Sequence, residues 1–168
     1  MDRRKFIEYS IKSIFLASLP IINLFPKVNV SEDKKKLPWS RKTFRFPLGN
    51  FKLQSGETLL NAFLLVDVNG ELNPSKSNAI IFATCFAGSH KFNQMAYGID
   101  RALNPLKYCI ITPNLFCSGH SSSPSNTAYP QDGPRFPSIT YYDNINAQDK
   151  LISEYFGITN PLIYIGFS

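Results

Sequence analysis

Hydrophobic positions alternate with polar ones from Thr43 onward. In "TFRFPLGNFKLQSG" (Thr43 to Gly56), Phe44, Phe46 and Leu48 are followed by Phe51 and Leu53. That alternation predicts two short strand segments broken by a turn at Gly49-Asn50. "TLLNAFLLVDVNG" (Thr58 to Gly70) predicts another strand ending at Asn69-Gly70, and "ELNPSKS" (Glu71 to Ser77) a loop. The opening is therefore antiparallel in style. The pattern then changes: "NAIIFATCF" (Asn78 to Phe86) and "KYCIITPNL" (Lys107 to Leu115) are continuous apolar runs, as in strands covered on both faces. Between them "KFNQMAYGIDRAL" (Lys91 to Leu103) spaces Phe92, Met95, Ala96, Ile99 and Leu103 as one helix face, with Gly98 as its weak point. "TYYDNINAQDKLISEYFGI" (Thr140 to Ile158) predicts a helix with Ile145, Gln148, Leu151, Ile152, Tyr155 and Phe156 on one face and Gly157 at its stop. "LIYIGFS" (Leu162 to Ser168) reads as a last buried strand. Strand, helix, strand, long loop, helix, strand predicts an α/β fold with right-handed parallel crossovers after antiparallel opening strands.

The 24 residues from Phe116 to Ile139 form a loop unusually long for a compact domain, at the C-terminal end of a parallel strand, where open α/β sheets bind ligands. Its serines, Ser121 to Ser123, lack a sharp strand-to-helix turn behind them, so turn hydrogen bonding is expected of them rather than nucleophilic work.

Charge divides the chain. Residues 1–45 hold 11 Lys/Arg against 4 Asp/Glu, which leaves 7 against 8 for the remainder. The folded part is thus nearly neutral and offers no basic face for a nucleic acid. The basic excess instead sits around Arg3, Arg4 and Lys5, followed by the apolar stretch Ser13 to Phe25. Residues 1–30 read as an export signal of the twin-arginine type, with Asp2 where a hydroxyl residue is usual, and imply a periplasmic destination through export machinery. The alternative is an uncleaved helix making membrane contact through residues 1–25. Residues 31–42, polar and proline-containing, read as a linker, and residues 43–168 as the folded domain.

Three cysteines, Cys85, Cys109 and Cys117, make an odd count with no C-x-x-C pair, so neither a disulfide framework nor a metal site is expected. His90 and His120 share no ligand spacing and are expected to be structural.

A serine used for acyl transfer needs exposure, a base and donors for the developing oxyanion. "GFS" at 166–168 matches the first three positions of a G-x-S-x-G nucleophile elbow, at the end of the third parallel strand. From about Phe51 to Ser168 the chain resembles the homoserine O-acetyltransferase-like branch of the α/β-hydrolase superfamily. The stretches that carry the resemblance are "PNLFCSGHSSSPSNT" (Pro113 to Thr127), "GPRFPSITYYDNINAQDKL" (Gly133 to Leu151) and "LIYIGFS". It implies the N-terminal part of an α/β-hydrolase fold, ending at the elbow, with no cofactor. By the same resemblance Ser168 is the nucleophile. "TCFAGSH" (Thr84 to His90) becomes the oxyanion segment, with Phe86 donating its backbone amide. The second donor, following the nucleophile, and the family's Asp and His all fall after residue 168. Asp143 and Asp149, on the helix before the last strand, are structural on this reading.

The implied chemistry passes an acyl group from a small-molecule donor, acetyl-CoA or an ester, through an acyl-serine to an alcohol or to water. The alternatives are a carboxylesterase-like hydrolase and a non-catalytic truncated remnant, and the 168-residue chain alone is expected to be inactive. Thr84 to Gly88 replaces a His-Ala-Leu-Thr-Gly-like segment common in the family's acetyltransferases, which turns the expectation away from homoserine as the acceptor. The N-terminal expectation is tested by cell fractionation: recovery only in the soluble periplasm supports a cleaved signal, and recovery in the membrane fraction supports the retained anchor.

Overall fold

The computed structural model describes residues 37–167. The expected export segment, the first half of the expected linker (31–36) and Ser168 lie outside them. The described chain builds one five-stranded sheet in the order β1 (Arg41–Lys52), β2 (Thr58–Asn69), β4 (Cys109–Pro113), β3 (Ala79–Phe82), β5 (Ile163–Ile165). Strands β1 (Arg41–Lys52) and β2 (Thr58–Asn69) form an antiparallel hairpin. β1 opens inside the stretch read as linker, and Trp39 Nε1 donates to Asn69 Oδ1 at 3.1 Å.

The turn expected at Gly49-Asn50 is instead a bulge within one continuous strand. The register slips between Pro47 and Gly49, and Gly49 takes φ +64°. An extra residue reverses which positions face the core. Phe44, Phe46 and Leu48 before the bulge and Phe51 and Leu53 after it therefore all join the same cluster. A matching slip in β2 at Asn61, φ +48°, lets Leu59 and then Ala62, Leu64 and Val66 face inward together. The hairpin turns at Leu53–Glu57, where Gly56 takes φ +89°.

Strands β3 (Ala79–Phe82) and β4 (Cys109–Pro113) are parallel and buried at every position, as continuous apolar runs require. Their alternate residues serve two faces. Ala79, Ile81, Cys109 and Ile111 pack on one face with Ala147 of helix α2 (Tyr141–Lys150) and with Leu151 just past its end, and Ile80, Phe82 and Ile110 pack with Tyr97 on the other. The connections leaving β3 and β4 thus cover opposite faces, and the winding reverses at the C-terminal end of β3. In open α/β sheets that reversal leaves a crevice where ligands bind.

The helix expected over Lys91–Leu103 is cut short. Helix α1 covers only His90–Asn93, followed by a 3-10 turn at Gln94–Ala96, and Tyr97 is extended and bridged to Leu103. Tertiary bonds win over helical ones here. The Asn93 side chain donates to the Phe82 and Ala83 carbonyls at 3.0 and 3.2 Å, and the Tyr97 hydroxyl meets Thr112 Oγ1 at 2.6 Å in the core. Phe92, Met95 and Ile99, expected to face the core, are exposed.

Helix α2 is opened by a capping box. Thr140 Oγ1 accepts from the Asp143 amide at 3.2 Å, and Asp143 Oδ2 accepts from the Thr140 amide at 2.8 Å. Asp143 also accepts from the Gln54 amide at 2.7 Å, which ties the helix start to the β1-β2 turn, a structural role as expected. A π turn at Leu151–Tyr155 follows, and Gly157 at φ +61° ends the element. The bonds of Asp143 and of Asn144 to fixed partners set the rotation of α2. Its buried stripe runs through Asn144, Ala147, Gln148 and Leu151, and Ile145, expected on that face, is exposed.

Strand β5 (Ile163–Ile165) pairs in parallel with β3 and forms the sheet edge among the described residues. The sequence pattern predicts a buried strand. Ile163 and Tyr164 are instead exposed, because no described element covers them.

One buried charge joins the outer strands to the α1 region. Asp67 is fully buried and accepts from Thr43 Oγ1 at 2.6 Å, Asn69 Nδ2 at 2.7 Å, Gln94 Nε2 at 2.9 Å and Arg41 Nε at 3.1 Å. Burial raises its pKa, but the four donors outweigh burial and hold it below the ordinary value of 3.8. The stability it contributes is complete above that ordinary value and is lost as pH falls through the lower folded one. Asp67→Asn is expected to cost about 2–4 kcal/mol at pH 7 in urea unfolding of the 168-residue chain, because it removes the charge that four donors face. The deficit against the wild type should shrink as pH falls below the ordinary carboxyl value of 3.8. A loss under about 0.5 kcal/mol at pH 7 would contradict this role.

Candidate active site

The parallel strands β4, β3 and β5 end at the same side of the sheet, where Pro113, Phe82 and Ile165 lead into loops. After β3 the chain makes a tight turn closed by the Gly88 amide on the Cys85 carbonyl at 3.0 Å. Its third position, Ala87, takes φ +57°, a conformation that disfavours any residue with a Cβ by about 1–2 kcal/mol. A Cβ at Gly88 would run into Cys85 Sγ, which would have to turn away, and would lie 3.2 Å from the Cys85 carbonyl oxygen. At the second position Phe86 projects its ring into solvent, 77% exposed, and among the described residues no group accepts from its backbone amide. An apolar depression of about 430 Å³ opens beside the ring, walled by Leu115, Phe116, Ile139 and Tyr141.

What fixes this turn is a residue that sequence reasoning missed. Asn114, just past β4, is fully buried, and its Oδ1 accepts from the His90 amide at 3.0 Å and faces His90 Nδ1 at 3.2 Å. Its Nδ2 and its own amide both donate to the Leu65 carbonyl, at 2.8 and 2.9 Å, and its carbonyl accepts from Ser121 Oγ at 2.6 Å. The side chain thus joins β2 to the start of α1, and the backbone carbonyl of the same residue ties in the long loop. Beside it the Thr84 amide donates to the Pro113 carbonyl at 3.3 Å and Thr84 Oγ1 accepts from the Leu115 amide at 3.2 Å, so the exits of β3 and β4 are stitched together. On the far side the Phe116 amide donates to Asn144 Oδ1 of α2 at 2.8 Å. The available signal was positional: a polar side chain immediately after a buried strand has nowhere to go but into such a network.

The serines are engaged in hydrogen bonding, but Ser121 and Ser122 bond strand β2 and only Ser123 serves the turn as expected. Ser121 Oγ accepts from the Leu65 amide at 3.0 Å and Ser122 Oγ from the Phe63 amide at 2.9 Å, while Ser123 Oγ donates to the Ser121 carbonyl at 2.7 Å. All three are buried and occupied. His90 is buried with its ring edge-on to that of His120, centroids 5.6 Å apart. Burial, then the nearby His90 and Lys91, push His120 below the ordinary histidine value. Among the described residues neither ring has a carboxylate partner, so the pair lacks the acid that orients a catalytic base. The three cysteines are free thiols, and burial pushes Cys109 up to about 11.

The parallel register pairs Phe82 with Ile165. Gly166 and Phe167 therefore leave β5 beside the turn that follows β3, and the Phe167 ring rests against Phe82 at 5.5 Å between centroids. Ser168, the expected nucleophile, lies outside the described residues.

No protein-family model matches the sequence. The chain is 41% identical over 122 residues to the ethyl acetate hydrolase of Pseudomonas veronii, covering 72% of this chain and 35% of that one. It is 31% identical over 136 residues to the homoserine O-acetyltransferase of Methanosarcina acetivorans, covering 71% and 25%. Among solved structures the acetyl esterase MekB superposes with a TM-score of 0.72 at 38% identity, over 74% of this chain and 36% of that one. Over about 72% of its length the chain is related to homoserine O-acetyltransferases and acetyl esterases, and its fold is that of the N-terminal part of an α/β-hydrolase. It spans about a quarter to a third of the length of these α/β-hydrolase relatives. The names of these relatives describe two activities, ester hydrolysis and acetyl transfer to homoserine.

The dependence of the turn on its neighbours is measurable. Asn114→Ala is expected to destabilise the chain by about 2–4 kcal/mol in urea unfolding, since it strands the His90 amide in the core, and Gly88→Ala by about 1–3 kcal/mol through the Cys85 clash. Losses under about 0.5 kcal/mol for both would show that the turn does not rely on them.

Proposed function

We propose that this chain carries the nucleophile and one oxyanion donor of a serine ester hydrolase acting on small acyl esters. Ser168 Oγ attacks the acyl carbonyl, and its proton passes to a general base. The carbonyl oxygen takes up negative charge and is held by the Phe86 N–H. The alcohol then leaves with a proton returned by the base, and water releases the acid from the acyl-serine. The base and the acid that orients it are not among these 168 residues on this reading, so the 168-residue chain alone does not turn over.

The observation that carries the proposal is the β3-β5 register. Phe82 faces Ile165 across parallel strands, so the turn holding the unpartnered Phe86 amide and the segment running into Ser168 leave the sheet side by side. Hydrolysis is put ahead of transfer because the hydrolase relative is the more similar, 41% against 31% identity. An alcohol that reaches the same acyl-serine in place of water would make the enzyme a transferase.

Phe86 occupies the second position of its turn, where proline is well tolerated, so Phe86→Pro removes the N–H while respecting the backbone. The test uses a hybrid in which residues 43–168 of this chain replace the corresponding part of the Pseudomonas hydrolase, which supplies the remaining groups. In this hybrid Ser168→Ala should lower kcat for ethyl acetate by at least about ten-thousand-fold. Phe86→Pro should lower kcat by about a hundred- to a thousand-fold with little change in KM. Phe86→Ala, which keeps the N–H, should lose far less. A folded, active hybrid that tolerates Ser168→Ala would overturn the nucleophile, and one in which Phe86→Pro and Phe86→Ala behave alike would overturn the donor.

A further inference from the structure

The apolar depression of about 430 Å³ beside Phe86 is walled by three segments that meet at the functional end of the sheet. Phe86 comes from the turn after β3, Leu115 and Phe116 from the exit of β4, and Ile139 and Tyr141 from the start of α2. On one side the wall is fixed. Phe116 is buried, its ring 5.8 Å from that of Phe51, and its amide is held by Asn144 Oδ1. The other amide end of Asn144 is taken by the Thr140 carbonyl at 3.2 Å, so this polar lining group is already paired at both ends. The wall therefore offers a ligand almost only carbon. Its two outer rings, Phe86 and Tyr141, stand 77% and 75% exposed. Large apolar groups gathered in the open around a concave surface mark a ligand groove, because whatever apolar body settles there removes their contact with water.

Position says which body that is. The strand order places the depression on the β4 side of the Phe86 turn and the segment running into Ser168 on its β5 side. A carbonyl oxygen held by the Phe86 N–H lies between the two, so the remainder of the ester crosses the turn toward β4. We infer that the depression takes an unbranched hydrocarbon chain of the ester, from its acid or its alcohol, and that Leu115 and Tyr141 set the preferred chain length. The exits of β5 and β4 are about two strand spacings apart, roughly 10 Å, which a chain of about six carbons spans. Each methylene buried there gains about two- to fourfold in binding. The inference rests on the reading of Ser168 and Phe86 as the acyl-transfer groups and names the substrate class of that site.

Cys117 lines the depression with an exposed free thiol, and Cys85 of the neighbouring turn does not line it, so the pair supplies a footprint and its control. In the 168-residue chain, 1-hexanol at about 30 mM should slow alkylation of Cys117 by iodoacetamide about threefold, and ethanol at the same concentration hardly at all. The Cys85 rate should not change, which checks that the fold is intact. In the hybrid with the Pseudomonas hydrolase, kcat/KM should rise about two- to fourfold per methylene from ethyl acetate toward hexyl acetate or toward ethyl hexanoate. A rise along the first series places the chain on the alcohol, and along the second on the acid. Leu115→Trp fills the depression and Tyr141→Ala removes a wall. Each should cut the preference for the six-carbon ester over ethyl acetate at least about fivefold, a ratio that a general loss of folded enzyme does not move. Equal alkylation of Cys117 with and without hexanol, a flat chain-length profile, or a preference that survives both substitutions would overturn the inference. A Cys117 protected without any probe and freed on dilution would place a second copy of the chain in the depression and overturn it too. A hybrid that stays active with Ser168→Ala would overturn the nucleophile, while the Cys117 footprint still decides whether the depression takes a hydrocarbon chain.

Discussion

A single buried amide side chain holds the functional end of this sheet in order. Asn114 has both of its polar ends engaged, one by the Leu65 carbonyl of β2 and the other by the His90 amide at the start of α1. Neither partner has water to fall back on, so the geometry is nearly all or nothing: an unpaired buried amide costs more than a formed bond gains. The turn between β3 and α1 has its far end fixed by this bond and its near end by the Thr84 contacts with Pro113 and Leu115. The positive φ of Ala87 is tolerated because the chain on either side is already fixed.

The same network solves a second problem. β4 pairs with only the last residues of β2, Val66 to Asn69, which would leave the first half of β2 with an open edge. The long loop after β4 covers it, largely with side chains in place of backbone. Ser121 and Ser122 hydroxyls take the Leu65 and Phe63 amides, and further along Gln131 accepts from the Leu60 amide at 2.8 Å and donates to the Thr58 carbonyl at 2.8 Å. Ser121 and Ser122 therefore act as a strand substitute, and this explains why a 24-residue connection with only the short 3-10 turn Gly133–Arg135 stays ordered.

Much of this was legible in the sequence where one physical effect dominated. Continuous apolar runs marked β3 and β4, and the quoted stretches led to the α/β-hydrolase family that the relatives show. Gly49-Asn50 was misread because glycine marks turns and bulges alike. The distinguishing sign was the change of parity from Leu48 to Phe51, which a strand that simply turned back would not need. Lys91–Leu103 was misread because helical spacing arose from Phe92, Met95 and Ile99, which are exposed. The bonds that unwind the segment run from Asn93 and Tyr97 to β3 and β4, across the fold and beyond any local window. Asn114 and Asp67 went unseen for the same reason: a polar residue in an apolar run gains its meaning only from partners 24 to 49 residues away.

The central claim is that Asn114 anchors a turn whose Phe86 amide is left open. Residue-by-residue hydrogen exchange on the 168-residue chain tests it most directly. The His90 and Leu65 amides, whose acceptors are Asn114 Oδ1 and Ser121 Oγ, should be among the slowest to exchange, while Phe86, four residues before His90, exchanges at close to the rate of an unprotected amide. Protection of Phe86 equal to that of His90 would mean that its N–H is already satisfied within the fold, and would contradict the account.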